Sequence, residues 1–179
     1  MSVLLKEFQS EDYERLISWV ESPEFLLQWA GSIFQYPLTV EQLDSYRSVM
    51  LKVKPTRKIY SVFEAETNNH VGHIELNNID LVNNSARMGR VLIGDKNTKG
   101  KGYGKEIVKA ILKIGFEELK LHRIDLGVFD FNTAAIKCYE SVGFTHEGVS
   151  RESRKMGNEY WNLLQMSMLK TEYIVMLSQ

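Results

Sequence analysis

Val91-Leu92-Ile93, then Gly94-Asp95-Lys96-Asn97-Thr98-Lys99-Gly100-Lys101-Gly102-Tyr103-Gly104, is the stretch that decides the fold. An apolar, strand-like run empties there into a glycine-rich turn. Beyond it Ile107, Ile111, Ile114 and Leu119 recur at helical spacing. The first amides of a helix have no partner within it, and the macrodipole adds about half a positive charge, so the end of this helix attracts an anion. Glycines let anion oxygens approach the backbone, and Lys99, Lys101 and Lys105 surround the turn with cations, which suits phosphate better than a neutral ligand. A tight turn bordered by solvated lysines is the plain alternative. Two common phosphate motifs fail. For a P-loop, Asp95 to Lys99 is one residue too many, and Gly102 stands where Ser or Thr would hold magnesium. For a dinucleotide fingerprint, the third glycine would fall on Lys105, and the turn does not open a βαβ unit.

Outward from the turn, the pattern predicts a sheet. Ile59 to Ala65, Val71 to Ile79 and Arg87 to Ile93 read as strands separated by Thr67-Asn68-Asn69-His70 and Val82-Asn83-Asn84-Ser85 turns, an antiparallel meander. Downstream, His122 to Val128 returns as a strand, so the long helix is a crossover that implies one parallel pair. Asn132 caps a further helix that Gly143 ends, and Gly148 to Leu169 forms a hairpin about Met156-Gly157-Asn158. At the other end Leu4 to Phe8 reads as a strand, with Ser10 as N-cap for a helix carrying Tyr13, Leu16, Ile17 and Val20. Ser22-Pro23 opens a second helix with Phe25, Leu26 and Trp29. Thr39-Val40-Glu41-Gln42 matches a capping box for a third, with Leu43, Tyr46 and Met50, entered through Tyr36-Pro37-Leu38. The expected class is α/β in the α+β sense: a mixed, mostly antiparallel sheet of six to seven strands flanked by helices. With no internal repeat or linker, residues 1–179 read as one domain.

The bulk composition narrows the function. With 179 residues, 44% hydrophobic and 25% charged, the chain is an ordinary globular sequence. A net charge of -1 lacks the basic footprint of a nucleic-acid binder, so a small substrate and no nucleic-acid partner are expected. Cys138 is the only cysteine, which excludes an internal disulfide and suits a reducing compartment. The start, Met1-Ser2-Val3-Leu4-Leu5-Lys6-Glu7, lacks a signal-peptide pattern, and no apolar run reaches the ~18 residues of a membrane span, so a cytoplasmic protein without membrane attachment is expected. His70, His122 and His146 show no metal spacing.

Lys99-Gly100-Lys101-Gly102-Tyr103-Gly104 resembles the signature of the GNAT superfamily of N-acetyltransferases: Arg or Gln, two free positions, then Gly-x-Gly or Gly-x-Ala at the start of the long helix. Lys99 stands where Arg or Gln is usual, and lysine donates there without a fork. A second block, Asn132-Thr133-Ala134-Ala135-Ile136-Lys137-Cys138-Tyr139-Glu140-Ser141-Val142-Gly143-Phe144 with Glu147-Gly148, is similar to the family's other hallmark. The resemblance spans about Val71 to Leu169 and is nearest the branch of ribosomal-protein alanine and spermidine acetyltransferases.

The resemblance implies the acyl-CoA N-acyltransferase fold, acetyl-CoA as donor, no metal, and direct transfer to a primary amine such as a protein N-terminus, a polyamine or another small-molecule or peptide amine. It leaves room for a homodimer. The cofactor's pyrophosphate would lie on Lys99 to Gly104 and Lys105, and its pantetheine arm along the backbone of Leu92, Ile93 and Gly94, one of whose amides would polarise the thioester carbonyl. Tyr139 takes the place of the general acid that protonates the departing thiolate, and Asn132 that of a hydrogen-bonding partner near the pantetheine while capping its helix. Some relatives carry the base on the strand after the long helix, where Gly127 stands here, so Glu75 on the third strand is the candidate base, with His73, taken to lie on the opposite face, weaker; otherwise Glu75 is an exposed strand residue and a water chain takes the proton. Trp29, Phe34 and Tyr36 would wall the acceptor pocket, although helix packing explains them equally. Cys138, without an evident His partner, reads as structural. A module of another class, one that binds coenzyme A but has lost catalysis, fits Lys99 and Gly127 as well.

Overall fold

The computed structural model describes residues 2–94, 98 and 100–178. In chain order they form β1 (Val3–Glu7), α1 (Tyr13–Trp19), α2 (Pro23–Ala30), α3 (Val40–Ser48), β2 (Lys58–Glu64), β3 (His70–Asp80), β4 (Ser85–Ile93), α4 (Tyr103–Lys113), β5 (Arg123–Phe129), α5 (Thr133–Val142), β6 (Thr145–Met156), β7 (Glu159–Leu169) and α6 (Lys170–Leu177). The strands make one sheet in the order β1-β2-β3-β4-β5-β7-β6. Only β4 and β5 run parallel, joined by the α4 crossover; the other neighbours are antiparallel. The expected mixed, mostly antiparallel sheet is therefore present, with seven strands. Among the described residues no helix is long and apolar enough to cross a membrane.

Local chemistry explains most boundaries. Ser22 accepts the Phe25 amide at 3.1 Å with Pro23 in the first helical position. Asn132 accepts the Ala135 amide at 3.3 Å, and Gly143, at φ +106°, ends α5 in the left-handed region. Two expected caps differ. Ser10 does not cap α1: Ser10–Asp12 is a separate 3₁₀ turn, closed by Asp12 accepting the Gln9 amide at 2.9 Å and the Ser61 hydroxyl at 2.7 Å. Thr39 does accept the Gln42 amide at 3.4 Å, but the Gln42 side chain turns away from the helix to bond Gln35 and Pro37 in the preceding loop. The long helix is α-helical only to Lys113 and widens into a π-turn over Ile114–Glu118.

Strand alternation divides the core between two layers. On one face α4 and α5 cover Tyr60, Val62, Ile74, Leu76, Leu126 and Val128. On the other, α1 to α3 cover Ile59 and Leu92 with Leu16, Leu26 and Leu43, joined by Phe8 from just after β1. What positions the site is a fault in β4. Glu75 faces Gly89 and His73 faces Leu92, so Arg90 and Val91 together oppose Ile74 alone. Arg90 sits at φ +51°, a conformation an L side chain rarely adopts, and the bulge turns β4 off course. β4 and β5 pair only at Ser85–Arg87 with Arg123–Asp125, and beyond that they part.

Candidate active site

The parted strands open a cleft of ≈ 450 Å³. Its walls are Met88 to Ile93 of β4, Leu126 to Phe129 of β5, Asn132, Ala135, Cys138 and Tyr139 at α5, Phe25, Gln28 and Trp29 of α2, and Gly100 and Gly104 at the start of α4. The Gly94 amide donates to Val71 on β3 at 2.9 Å, so alternation turns the peptide groups of Val91 and Ile93 the other way, toward β5 and the cleft. Unpaired strand edges are an adhesive backbone surface, and here one faces inward.

At the α4 end, Gly100 (φ +78°) and Gly102 (φ +88°) both occupy the left-handed region, and a Cβ on either would meet no atom within 4 Å. Those glycines leave open space that no packing requires. Gly94 is different, since a Cβ there would run into the indole of Trp19. Gly102 is the N-cap of α4 and contributes no side-chain cap, so the helix start keeps its anion-attracting character. Lys101 and Lys105 are exposed beside it, while Lys99 lies outside the described residues. The Tyr103 ring is buried and its hydroxyl donates to Glu64, so only its backbone borders the turn.

Tyr139 is buried but borders the cleft, its ring 6.0 Å from that of Phe144. Burial, with a smaller contribution from Cys138, pushes its phenol well above the ordinary value, so the proton stays on oxygen throughout the physiological range. Burial also raises the Cys138 thiol, against a weaker opposing pull from Lys105. A protonated thiol is a poor nucleophile. Cys138 packs instead: its sulfur lies 3.2 Å from where a Gly104 Cβ would be, which lets α4 and α5 close on one another.

Glu75 lies behind the bulge, on the same face of β3 as His73 and not the opposite one, since residues two apart in a strand point the same way and Tyr46 touches both; nor is it an exposed strand residue. It is fully buried, and its carboxylate accepts from Tyr46 at 2.5 Å, Asn77 at 2.6 Å and Arg90, with the Arg57 Nε at 3.5 Å. Because the single Tyr46 proton goes to Glu75, the contact between Tyr46 Oη and His73 Nε2 at 3.1 Å needs the imidazole as donor, leaving Nδ1 as a buried lone pair without partner. Burial, aided by Arg90, depresses His73 to about 3, so it is neutral. Gly89, bare on the cleft wall, covers this cluster: a Cβ there would stand 3.0 Å from Asn77 Nδ2 and 3.6 Å from Glu75 Oε1.

Of the sequence candidates, the cleft gathers Leu92, Ile93, Gly100, Gly104, Asn132, Tyr139 and Trp29. Gly102, Lys101 and Lys105 flank its α4 end. Glu75 stands one layer behind, Phe34 stacks on the back of Trp29 at 6.0 Å, and Tyr36 is exposed, its hydroxyl 3.4 Å from Glu21 O. A side chain at position 127 would collide with Arg87, which is held by Asp125 at 2.6 Å and Gln165 at 3.0 Å, so the space where the resemblance would put a carboxylate is filled. Sequence reasoning missed Arg90 and Val91, whose role comes from the bulge, and Phe25, which the α2 stripe could have signalled. Among the described residues no group of three or more His, Cys, Asp or Glu is placed to hold a metal ion.

This geometry agrees with the comparisons to known proteins. The profile of the acetyltransferase (GNAT) domain family matches residues 2–145. An uncharacterized N-acetyltransferase of Bacillus licheniformis is 34% identical over 114 residues, 64% of this chain and 63% of the relative. The spermidine N(1)-acetyltransferase of Vibrio cholerae is 30% identical over 113 residues, 63% of this chain and 64% of the relative. The chain thus spans somewhat under two thirds of the curated relatives it matches. The crystal structure of a Vibrio cholerae spermidine N-acetyltransferase in complex with CoA and spermine superposes with a TM-score of 0.83, covering 97% of this chain and 98% of that one at 23% identity, which establishes the common fold.

Proposed function

Because the chain belongs to the GNAT acetyltransferase family, we propose that it transfers the acetyl group of acetyl-CoA directly to a primary amine. The observation that carries this reading is the parting of β4 and β5 into one cleft bordered by the open glycine turn at α4 and by Tyr139 on α5. The glycine turn fits a diphosphate, since Gly100 and Gly102 leave space that a Cβ would fill. Acetyl-CoA would supply an activated acyl thioester. In this reading the backbone from Gly100 to Gly104 binds the diphosphate, with Lys101 and Lys105 adding charge, and the inward edge at Val91 and Ile93 holds the pantetheine amides. Leu92 contributes packing, and Asn132 both caps α5 and borders the arm. Gly94 contributes the close seat of Trp19.

Tyr139 Oη holds the proton for the leaving sulfur. Its high pKa is no obstacle, because the burial that disfavours a phenolate disfavours a thiolate in the same cleft, so their difference is nearly preserved. Among the described residues no carboxylate lines the cleft, so the amine loses its proton to water before attack. We assign Glu75 to positioning Arg90 at the bulge, with Trp29 gripping the same residue from α2 and Phe34 backing Trp29. Side-by-side binding of both reactants supplies much of the rate. Half-buried Cys138 as the single thiol is consistent with a cytoplasmic setting.

The test is release of free thiol from acetyl-CoA across a panel of amines, with acetyl-CoA-dependent melting measured in parallel. Amine-dependent thiol is the expected result. A raised melting temperature without thiol from any amine would instead favour a module that binds coenzyme A and has no turnover.

A further inference from the structure

Among the described residues, the charge lining the cleft is of one sign. Arg90 is the charged residue of that described lining, and its guanidinium is engaged by Glu75. Its partner Glu75 is shared with Arg57, so two guanidiniums and one carboxylate leave the cluster behind Gly89 with a net positive charge, and neutral His73 does not change that. Across the gap, Arg87 lies over Gly127, its charge balanced by Asp125 at 2.6 Å. Glu21, just before α2, and Glu24 on it are exposed and do not line the cleft. Beside Gln28, the rest of this end is largely aromatic. Phe25, Trp29 and Phe129 border the cleft, and Phe129 continues outward into Phe131 at 5.5 Å and Trp161 at 5.1 Å.

Resting on the acetyltransferase reading, we infer that the acceptor is a monoamine with an aromatic or aliphatic body, arylalkylamines and apolar α-amino acids included, and that polyamines are excluded. The reacting nitrogen sheds its charge before attack, but a polyamine brings further ammonium groups that stay charged. Each would be desolvated against Arg90 with no carboxylate among the described lining residues to receive it, and a desolvated charge facing a like charge is strongly disfavoured. An apolar body gains from the aromatic wall, and an α-carboxylate is attracted by the positive cluster.

The experiment compares kcat/KM for 2-phenylethylamine, L-phenylalanine and spermidine on the full chain by thiol release at one ionic strength. 2-Phenylethylamine should exceed spermidine by at least about tenfold, a lower bound on what a like-charge contact imposes. Arg57→Gln, which lowers the cluster's charge from behind the cleft, should narrow that ratio. Spermidine turned over as well as 2-phenylethylamine by the wild-type chain would overturn the inference while leaving amine acetylation in place. Thiol release from none of the amines, in a protein whose melting temperature acetyl-CoA still raises, would overturn both.

Discussion

The indole Nε1 of Trp29 donates to the backbone carbonyl of Arg90 at 2.9 Å, so a helix of the outer layer holds the one β4 residue whose φ is positive. From the other side Glu75 takes the Arg90 guanidinium. The bulge that parts β4 from β5 is therefore fixed from both layers, and its removal should be felt in binding as well as in stability. Trp29→Phe keeps a ring and deletes the donor. We expect a loss of about 1–2 kcal/mol, the scale of a buried acceptor left unpaired, read from urea midpoints. The Kd for acetyl-CoA should rise with it; an unchanged Kd would show that the bulge does not depend on the indole.

Tyr139→Phe tests the proton donor. The ring stays in its place against Phe144, so affinity for acetyl-CoA should hold while kcat drops by about 10²- to 10⁴-fold, the usual share of a general acid. Turnover equal to wild type would remove Tyr139 from that role.

Glu75→Gln separates positioning from base catalysis. With the amine deprotonated by water, kcat/KM should rise with pH toward the pKa of the amine, about 10 for an alkylamine, in wild type and variant alike. The variant should be slower at every pH and less stable, because Arg90 and Arg57 lose their buried carboxylate. A wild-type profile that levels off well below the amine pKa, with the inflection absent in the variant, would make Glu75 the base.

Gly102→Leu probes the turn. At φ +88° any side chain costs about 1–2 kcal/mol in backbone strain, yet the Cβ meets no neighbour within 4 Å, so the fold should survive. Acetyl-CoA binding should be lost, because the new side chain stands in the proposed phosphate seat. Gly94→Ala is the contrast: it collides with Trp19 and should lower the melting temperature by overpacking. Full affinity in Gly102→Leu, measured by calorimetry, would refute the phosphate assignment.

The neutral His73 gives a stability signature. Its folded pKa is about 3, below the 6.5 of an unfolded histidine, so the unfolded chain takes up a proton first as the pH falls. Stability from this group is complete above about pH 6.5 and should drain away toward pH 3, at up to about 1.4 kcal/mol per pH unit. Burial lowers His70 as well, against the pull of Asp12, which adds to the slope. His73→Gln should flatten the pH dependence of urea unfolding; an unchanged slope would place the titration elsewhere.

Much of this protein was legible along the chain because the deciding interactions are local. The period-two runs gave β2, β3 and β4 within a residue or two, and Ser22, Asn132 and Gly143 marked helix ends through bonds spanning three or four residues. The glycine turn at the start of α4 and the Asn132 to Tyr139 block could be read for the same reason. Failures came where a residue had a distant competitor: Gln42 was taken by the loop at Gln35, and Asp12 by Ser61. Tertiary structure alone decided that Arg90 would sit at positive φ, that Glu75 would be spent on two arginines instead of facing the cleft, and that Arg87 would fill the space beside Gly127. Each depends on side chains far apart in sequence meeting, the Glu75 cluster in a medium of low dielectric where a buried carboxylate is too costly to leave unpaired, and no spacing along the chain encodes that encounter.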